Sequence, residues 1–286
     1  MNILVTGGSG FIGSHVVDKL IKDGHKVRVL DLEKPYQNNV EFFNGGILSK
    51  DDIKNSLDNI AIVYHFAAFS NIDLVKANPL TTIEHNILGT AYLLDECRRQ
   101  GIKRFIFASS VMVNDERGHL YTTSKLASEM ICKNYNTLYS LPYTILRCGT
   151  AYGPRSRDVD VVSVFVRKAL KGENLVVHGS GEGKRHFVYV EDLAQGSLAA
   201  LKEVAENESY VLADTQPVTI KELAMLVKRI FGNRVDIEYN SSREDDYAGE
   251  ILDTSKAKKE LGWEPKVNLD EGIERYIGWY KEMHIH

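Results

Sequence analysis

No apolar run in the 286-residue sequence reaches ten residues. A membrane-spanning helix needs about 20, so that class is excluded. Cysteine is scarce. Cys97, Cys132 and Cys148 are widely spaced and odd in number. They suit buried thiols in a reducing cytoplasm, not a disulfide framework, and none has a Cys or His at zinc-ligand spacing. Basic residues are not in excess: 35 Lys and Arg against 39 Asp and Glu leave a net charge of −4. A nucleic-acid footprint is therefore not expected. The start, Met1-Asn2-Ile3-Leu4-Val5, has neither a basic stretch nor a small-residue cleavage site. The expectation is a cytoplasmic protein without a signal peptide. A Gly-x-Ser-x-Gly elbow is also missing, so nothing supports a hydrolase.

What is present is an ordinary globular composition, 43% apolar and 26% charged, with enough chain for one large or two small domains. Strand-like runs recur at Ile3–Val5, Lys26–Leu30, Val40–Phe43, Ala61–Phe66, Arg104–Ala108 and Tyr143–Cys148, with helical spacing between them. Asn78-Pro79 reads as an N-cap and first helical position for a helix to about Arg99, and a second long helix is expected over Tyr121–Tyr139. Alternation over about 150 residues implies an α/β fold, a Rossmann-type doubly wound parallel sheet. After Gly153-Pro154 the pattern loosens into a helix at Val161–Leu170, a turn-rich stretch and a helix from Glu191. Thr219 and Glu222 make a capping box for a helix to Phe231, and two further helices flank Gly262-Trp263-Glu264-Pro265. The expected division is a dinucleotide-binding domain over 1–150. A smaller mixed α/β substrate-binding region over 151–286 is partly interleaved with it.

Thr6-Gly7-Gly8-Ser9-Gly10-Phe11-Ile12-Gly13 follows the first strand and opens the first helix. Gly7, Gly10 and Gly13 provide a tight turn, close approach to a pyrophosphate and close helix packing, and the helix N-terminus offers N–H groups to phosphate. Asp31 ends the second strand, where a carboxylate bonds the adenosine ribose hydroxyls and repels a 2′-phosphate, favouring NAD over NADP.

The glycine run, His65-Phe66-Ala67-Ala68, Asn86-x-x-Gly89-Thr90, Ser109-Ser110 and Tyr121-x-x-x-Lys125 occur in that order. Together they resemble the extended short-chain dehydrogenase/reductases, and within them nucleotide-sugar epimerases of the UDP-glucose 4-epimerase type. Arg147 with Tyr152-Gly153-Pro154, Gly179-Ser180-Gly181 leading to Arg185, Val190-Glu191-Asp192, Arg243 and the tail around Asp253-x-Ser255-Lys256 continue the resemblance over nearly the whole chain.

The resemblance implies catalysis by Ser110, Tyr121 and Lys125. Tyr121 would take the substrate hydroxyl proton while hydride leaves the same carbon for NAD, giving a transient 4-keto sugar. A phenol near pKa 10 is a poor base at neutral pH, and an ammonium one helical turn away lowers that value. Lys125 would also hold the nicotinamide ribose, and Ser110 would bond the substrate oxygen. NAD would be bound by Gly7, Gly10, Phe11, Ile12, Gly13, Asp31, Phe66, Ala67, Ala68, Asn86, Ser109, Tyr121 and Lys125. Asn86 is expected as a structural bridge behind the catalytic residues, and His65 as a satisfied structural histidine. A UDP-sugar would be held by Ser110, Thr150, Arg185 and Arg243, the two arginines on its diphosphate. Ile87, Leu94, Ile131 and Leu138 are expected on the outer faces of two helices that pair in a homodimeric four-helix bundle. A nucleotide-sugar 4-reductase, a 4,6-dehydratase and a non-catalytic dinucleotide sensor are the other readings. Val111 and Met112 stand where dehydratases carry Asp-Glu. The chain departs from its relatives at Asn114-Asp115, where they have Tyr-Gly, and in a short loop between Ser110 and Tyr121. Gly46 replaces an adenine-facing Asp, Val75 a small polar residue, and Glu250 falls near the position that gates the sugar C2 substituent.

Overall fold

The computed structural model describes residues 1–114, 119–241 and 252–284. The chain forms two compact units. The first comprises Met1–Cys148, Ala194–Val211 and Ser255–Trp263, the second Gly149–Leu193, Leu212–Thr254 and Glu264–His286.

The first unit opens with β1 (Asn2–Thr6), α1 (Phe11–Lys22), β2 (Lys26–Asp31), β3 (Glu41–Asn44), α2 (Lys50–Ser56), β4 (Ile62–His65) and α3 (Ile72–Ala77). A long helix comes next. It starts as α4 (Pro79–Ile83), passes through a π-helical turn at Glu84–Gly89 and continues as α5 (Thr90–Arg99). Then come β5 (Arg104–Ser110), a 3₁₀ turn at Val111–Asn114, α6 (Leu120–Tyr139) and β6 (Tyr143–Cys148). These six strands pair in parallel in the order β3-β2-β1-β4-β5-β6. β4 and β5 are buried along their whole length, as central strands covered on both faces must be. Leu4, Leu30, Val63, Phe105, Phe107 and Ile145 from the sheet pack with Leu93, Leu94, Cys97 and Cys132 from the helices. All three cysteines are free and buried, and burial pushes each thiol's pKa up.

The second unit starts with β7 (Thr150–Tyr152), α7 (Val161–Leu170), β8 (Leu175–His178), β9 (Lys184–Arg185) and β10 (Phe187–Tyr189). α8 (Val190–Ala199) carries the chain back to the first unit, where β11 (Glu208–Leu212) adds a seventh strand beside β6. β12 (Val218–Thr219), α9 (Ile220–Ile230), β13 (Ile237–Asn240) and α10 (Leu269–His284) complete the described fold. β7 pairs with β10 and β8 with β13 in parallel, and β9 with β12 antiparallel. The core of this unit joins Phe165 and Val166 of α7, Leu223 and Val227 of α9, and Ile273 and Tyr276 of α10. The capping box is formed: Thr219 Oγ1 accepts from the Glu222 amide, and the Glu222 carboxylate accepts from the Thr219 amide.

Three local expectations are corrected. Asn78 stands at the N-cap of α4 with Pro79 behind it, but its side chain makes no cap. It is also the C-cap of α3, and its amide donates back to the Leu74 carbonyl at 3.1 Å. The first of the two expected C-terminal helices is short, ending in a π-helical turn over Ala257–Leu261. Leu94 and Ile131 are not on outer faces: Leu94 is fully buried in the core, and Ile131 is half-buried and packed against the same core. The buried positions Thr82, Asn86, Thr90, Leu93, Leu94 and Cys97 keep three- and four-residue spacing through the π-helical turn, so Leu94 falls on the inward stripe of the helix. Among the described residues no helix is long and apolar enough to cross a membrane.

Candidate active site

The strand order reverses direction between β1 and β4, so the crevice beyond their carboxyl ends is the switch point where this sheet type binds ligands. The glycine turn leaves β1 there, and Phe66-Ala67-Ala68 leaves β4. Gly7 has φ +71°, and a Cβ on it would lie 2.5 Å from the Ala67 nitrogen. A Cβ on Gly13 would lie 2.1 Å from the Gly7 carbonyl oxygen. Only glycine fits either place. Gly10 is the N-cap of α1 and gives it no side-chain cap, so the first N–H groups are left for an anion. Phe11 and Ile12 follow in the first turn, half-buried. Asp31 is anchored at the turn: its carboxylate accepts from the Ser9 amide at 2.9 Å and the Glu33 amide at 3.3 Å.

On the other side of β4, α6 begins at His119, whose Nδ1 accepts from the Tyr121 amide at 3.1 Å. Tyr121 is half-buried at the helix start. One turn on, Lys125 is only 4% exposed. Its ammonium donates to the Ala108 carbonyl at 2.7 Å and lies 4.9 Å from the Phe107 ring centre and 5.9 Å from that of Tyr121. Burial lowers the Lys125 pKa to about 8. Ser110 ends β5, and its Oγ accepts from the Met112 amide at 3.2 Å, which leaves the hydroxyl proton to donate. Ser109 faces elsewhere. Its hydroxyl donates to Glu129 Oε1 at 2.6 Å.

Asn86 sits in the π-helical turn with its side chain fully used. Its oxygen accepts from the Phe69 amide at 2.7 Å, and its NH₂ donates to the Phe69 carbonyl and to Ser124 Oγ, both at 3.0 Å. It ties the loop after β4 to α6. Below it, Thr90 Oγ1 donates to the Asn86 carbonyl, so it must accept from His65 Nε2–H at 2.9 Å. His65 Nδ1 then accepts from Thr6 Oγ1 at 2.7 Å. The ring is neutral, satisfied at both nitrogens, and burial lowers its pKa to about 3.

A family model described as the NAD dependent epimerase/dehydratase family matches residues 3–213. The chain belongs to this family. A Methanocaldococcus jannaschii protein provisionally named UDP-glucose 4-epimerase is 37% identical, over 98% of both chains. UDP-glucuronic acid decarboxylase 1 of Xenopus tropicalis is 33% identical over 98% of this chain and 72% of its own. Among solved structures, the UDP-glucose 4-epimerase of Thermotoga maritima with UDP-glucose superposes with a TM-score of 0.94 at 33% identity, over 99% of both chains. The Thermus thermophilus UDP-glucose 4-epimerase complex with NAD gives 0.90 at 30%, over 98% of this chain and 99% of the other.

As an enzyme of the epimerase/dehydratase family this chain uses NAD, and the first unit fits it. The glycine turn leaves a cradle that any Cβ at Gly7 or Gly13 would fill, the α1 N-terminus is uncapped, and Asp31 stands fixed at the turn. Thr150 in β7 and Arg185 in β9 belong to the second unit, both half-buried; the Thr150 amide donates to the His186 carbonyl, and Arg185 donates to the Lys184 carbonyl. Arg243, Glu250 and Asp115 lie outside the described residues. Val75 is fully buried. The sequence reading missed Glu129, His119, Ser124 and also Ser128, whose hydroxyl donates to the Asn86 carbonyl at 2.8 Å. Glu129 could have been found from its place one turn beyond Lys125. His119 had no such signal, because histidine is not among the usual cap residues.

Proposed function

We propose that this chain is a UDP-sugar 4-epimerase in which Tyr121 is the acid–base group. The observation that carries the reading is the buried Lys125 ammonium beneath the Tyr121 ring, fixed by the Ala108 carbonyl two residues before Ser110. A positive charge there stabilises the Tyr121 phenolate against the neutral phenol. Tyr121 then accepts the proton of the sugar 4-hydroxyl and returns it later. The Ser110 hydroxyl donates to the same oxygen and holds it while charge develops there. When bound, NAD supplies reversible hydride acceptance at the sugar carbon. Gly7, Gly10, Phe11, Ile12, Gly13, Asp31, Phe66, Ala67 and Ala68 hold the dinucleotide in this reading. Asn86 and Ser109 act on it indirectly, because their side chains are engaged by the protein. Thr150, Arg185 and Arg243 are assigned to the UDP-sugar on the resemblance alone.

Val111 and Met112, apolar and directly after Ser110, weigh against a dehydratase, which needs an acid and a base there. A homodimer is part of the proposal. Leu80, Ile83 and Leu88 on the long helix and Leu126, Met130 and Leu138 on α6 are exposed, forming apolar surface on the two helices expected to pair.

The test is an NMR time course with UDP-galactose, and in parallel UDP-glucuronate, on NAD-loaded protein. Conversion of either to its 4-epimer at a steady ratio supports the reading. Release of the glucuronate carboxylate as carbon dioxide would replace it with a decarboxylase. Tyr121→Phe should reduce epimerisation by roughly a hundredfold or more while NAD stays bound. Undiminished activity in that variant would sink the mechanism.

A further inference from the structure

β5 meets α6 through two consecutive residues just before Ser110. Lys125 donates to the Ala108 carbonyl at 2.7 Å, and Ser109 donates to Glu129 Oε1 at 2.6 Å. Lys125 and Glu129 are one helical turn apart, so these bonds are two fixed points on one face of α6. A single bond would let the helix pivot about it. Two bonds set both its rotation and its advance along the strand.

Glu129 is 1% exposed, and a carboxylate so buried needs charged and hydrogen-bonding partners. Arg147 of β6 supplies them as a fork. Its Nε donates to Oε1 at 2.9 Å and its Nη2 to Oε2 at 2.7 Å. Such a pair is weak support for stability, because desolvation offsets most of the attraction. Its position argues for another use. It joins β5, α6 and β6 next to the residues assigned to proton transfer, yet it is one turn too far along α6 to be one of them.

We infer that Glu129 is a positioning residue: clamped by Arg147, it locks α6 to β5 through Ser109 and so sets Tyr121 relative to Ser110. This rests on the proposed role of Tyr121. The lock also explains why the Ser109 hydroxyl is turned into the protein.

Three variants separate position from charge. Ser109→Ala removes only the link. Glu129→Asp keeps the charge but draws the carboxylate back by one methylene, so it cannot span Ser109 and Arg147 together. Glu129→Gln removes the charge but keeps an oxygen in reach of the Ser109 hydroxyl. Each is assayed for kcat and KM with UDP-galactose per NAD-loaded molecule. Each is also titrated without substrate by near-ultraviolet phenolate absorbance, against the same protein carrying Tyr121→Phe, so that only Tyr121 is read. Ser109→Ala and Glu129→Asp should each lower kcat about tenfold, since small misplacements of reacting groups are amplified in rate. KM should stay within about twofold, the Tyr121 titration should move to higher pH, and Glu129→Gln should be the milder of the two Glu129 variants. Unchanged kcat and an unmoved titration, with only a lower melting temperature, would overturn the inference. So would a larger defect in Glu129→Gln than in Glu129→Asp, which would mark charge as the agent. If the wild-type chain converts no UDP-sugar, the epimerase reading fails, and the titration still decides the lock.

Discussion

Replacing Lys125 by methionine should stabilise the protein at neutral pH while destroying its proposed activity. Lys125 is held at a pKa of about 8 by burial, against an ordinary value of 10.5. At pH 7 it is therefore still mostly charged, in a site that penalises charge. A shift of this size corresponds to about 3 kcal/mol of destabilisation below pH 8, at about 1.36 kcal/mol per pKa unit. Methionine, similar in length and apolar, removes that penalty. It also leaves the Ala108 carbonyl without its donor, which costs back about 1 kcal/mol. The net expectation is a gain of about 2 kcal/mol, or roughly 4 to 6 °C in melting temperature for a chain of this size.

The pH dependence fixes the cause. Between pH 8 and 10.5 the unfolded wild-type chain binds more protons at this lysine than the folded one, so wild-type stability rises with pH across that window. The variant has no such group and should lack this rise. The assay is thermal unfolding of nucleotide-free protein at pH 7 and at pH 10, wild type beside Lys125→Met. A variant less stable than wild type at pH 7, or an advantage that does not shrink by pH 10, would refute the argument. Retention of such a lysine despite its cost is what an active-site charge predicts, since stability and function conflict where a reaction needs a buried ion.

Gly13→Ala should abolish NAD retention, because its Cβ would meet the Gly7 carbonyl oxygen at 2.1 Å and open the turn; the nucleotide absorbance of the purified protein checks this. His65 is held neutral, its pKa lowered to about 3, so the unfolded chain takes up a proton at this residue first as pH falls below about 6.5. Stability should drop from pH 6.5 towards 4, and His65→Gln should flatten that part of the curve in urea unfolding. If the outer helix faces pair two copies, Leu138→Asp, at a site 69% exposed, should shift light scattering from dimer to monomer without unfolding the chain.

The sequence carried local geometry well and partnerships poorly. The glycine turn was legible because its constraints act within a few residues: Gly13 must clear Gly7, and both are in the same turn. The parallel strands were legible because burial on both faces leaves continuous apolar runs, and Tyr121 with Lys125 because four residues on a helix make neighbours. Glu129 satisfies the same spacing rule one turn on, yet a glutamate in a helix reads as solvated by default. Its meaning comes from Ser109 and Arg147, 20 and 18 residues away along the chain, and no local rule brings those together. Leu94 failed for a different reason. It lies on an inward stripe whose earlier members, Thr82, Asn86 and Thr90, are polar and so do not announce the buried face, and that stripe runs unbroken through the π-helical turn. That turn is where Asn86 bonds the loop after β4 and Ser124 of α6. The irregularity thus sits where the site needs its bridge, as expected if helix regularity gives way to function at this point.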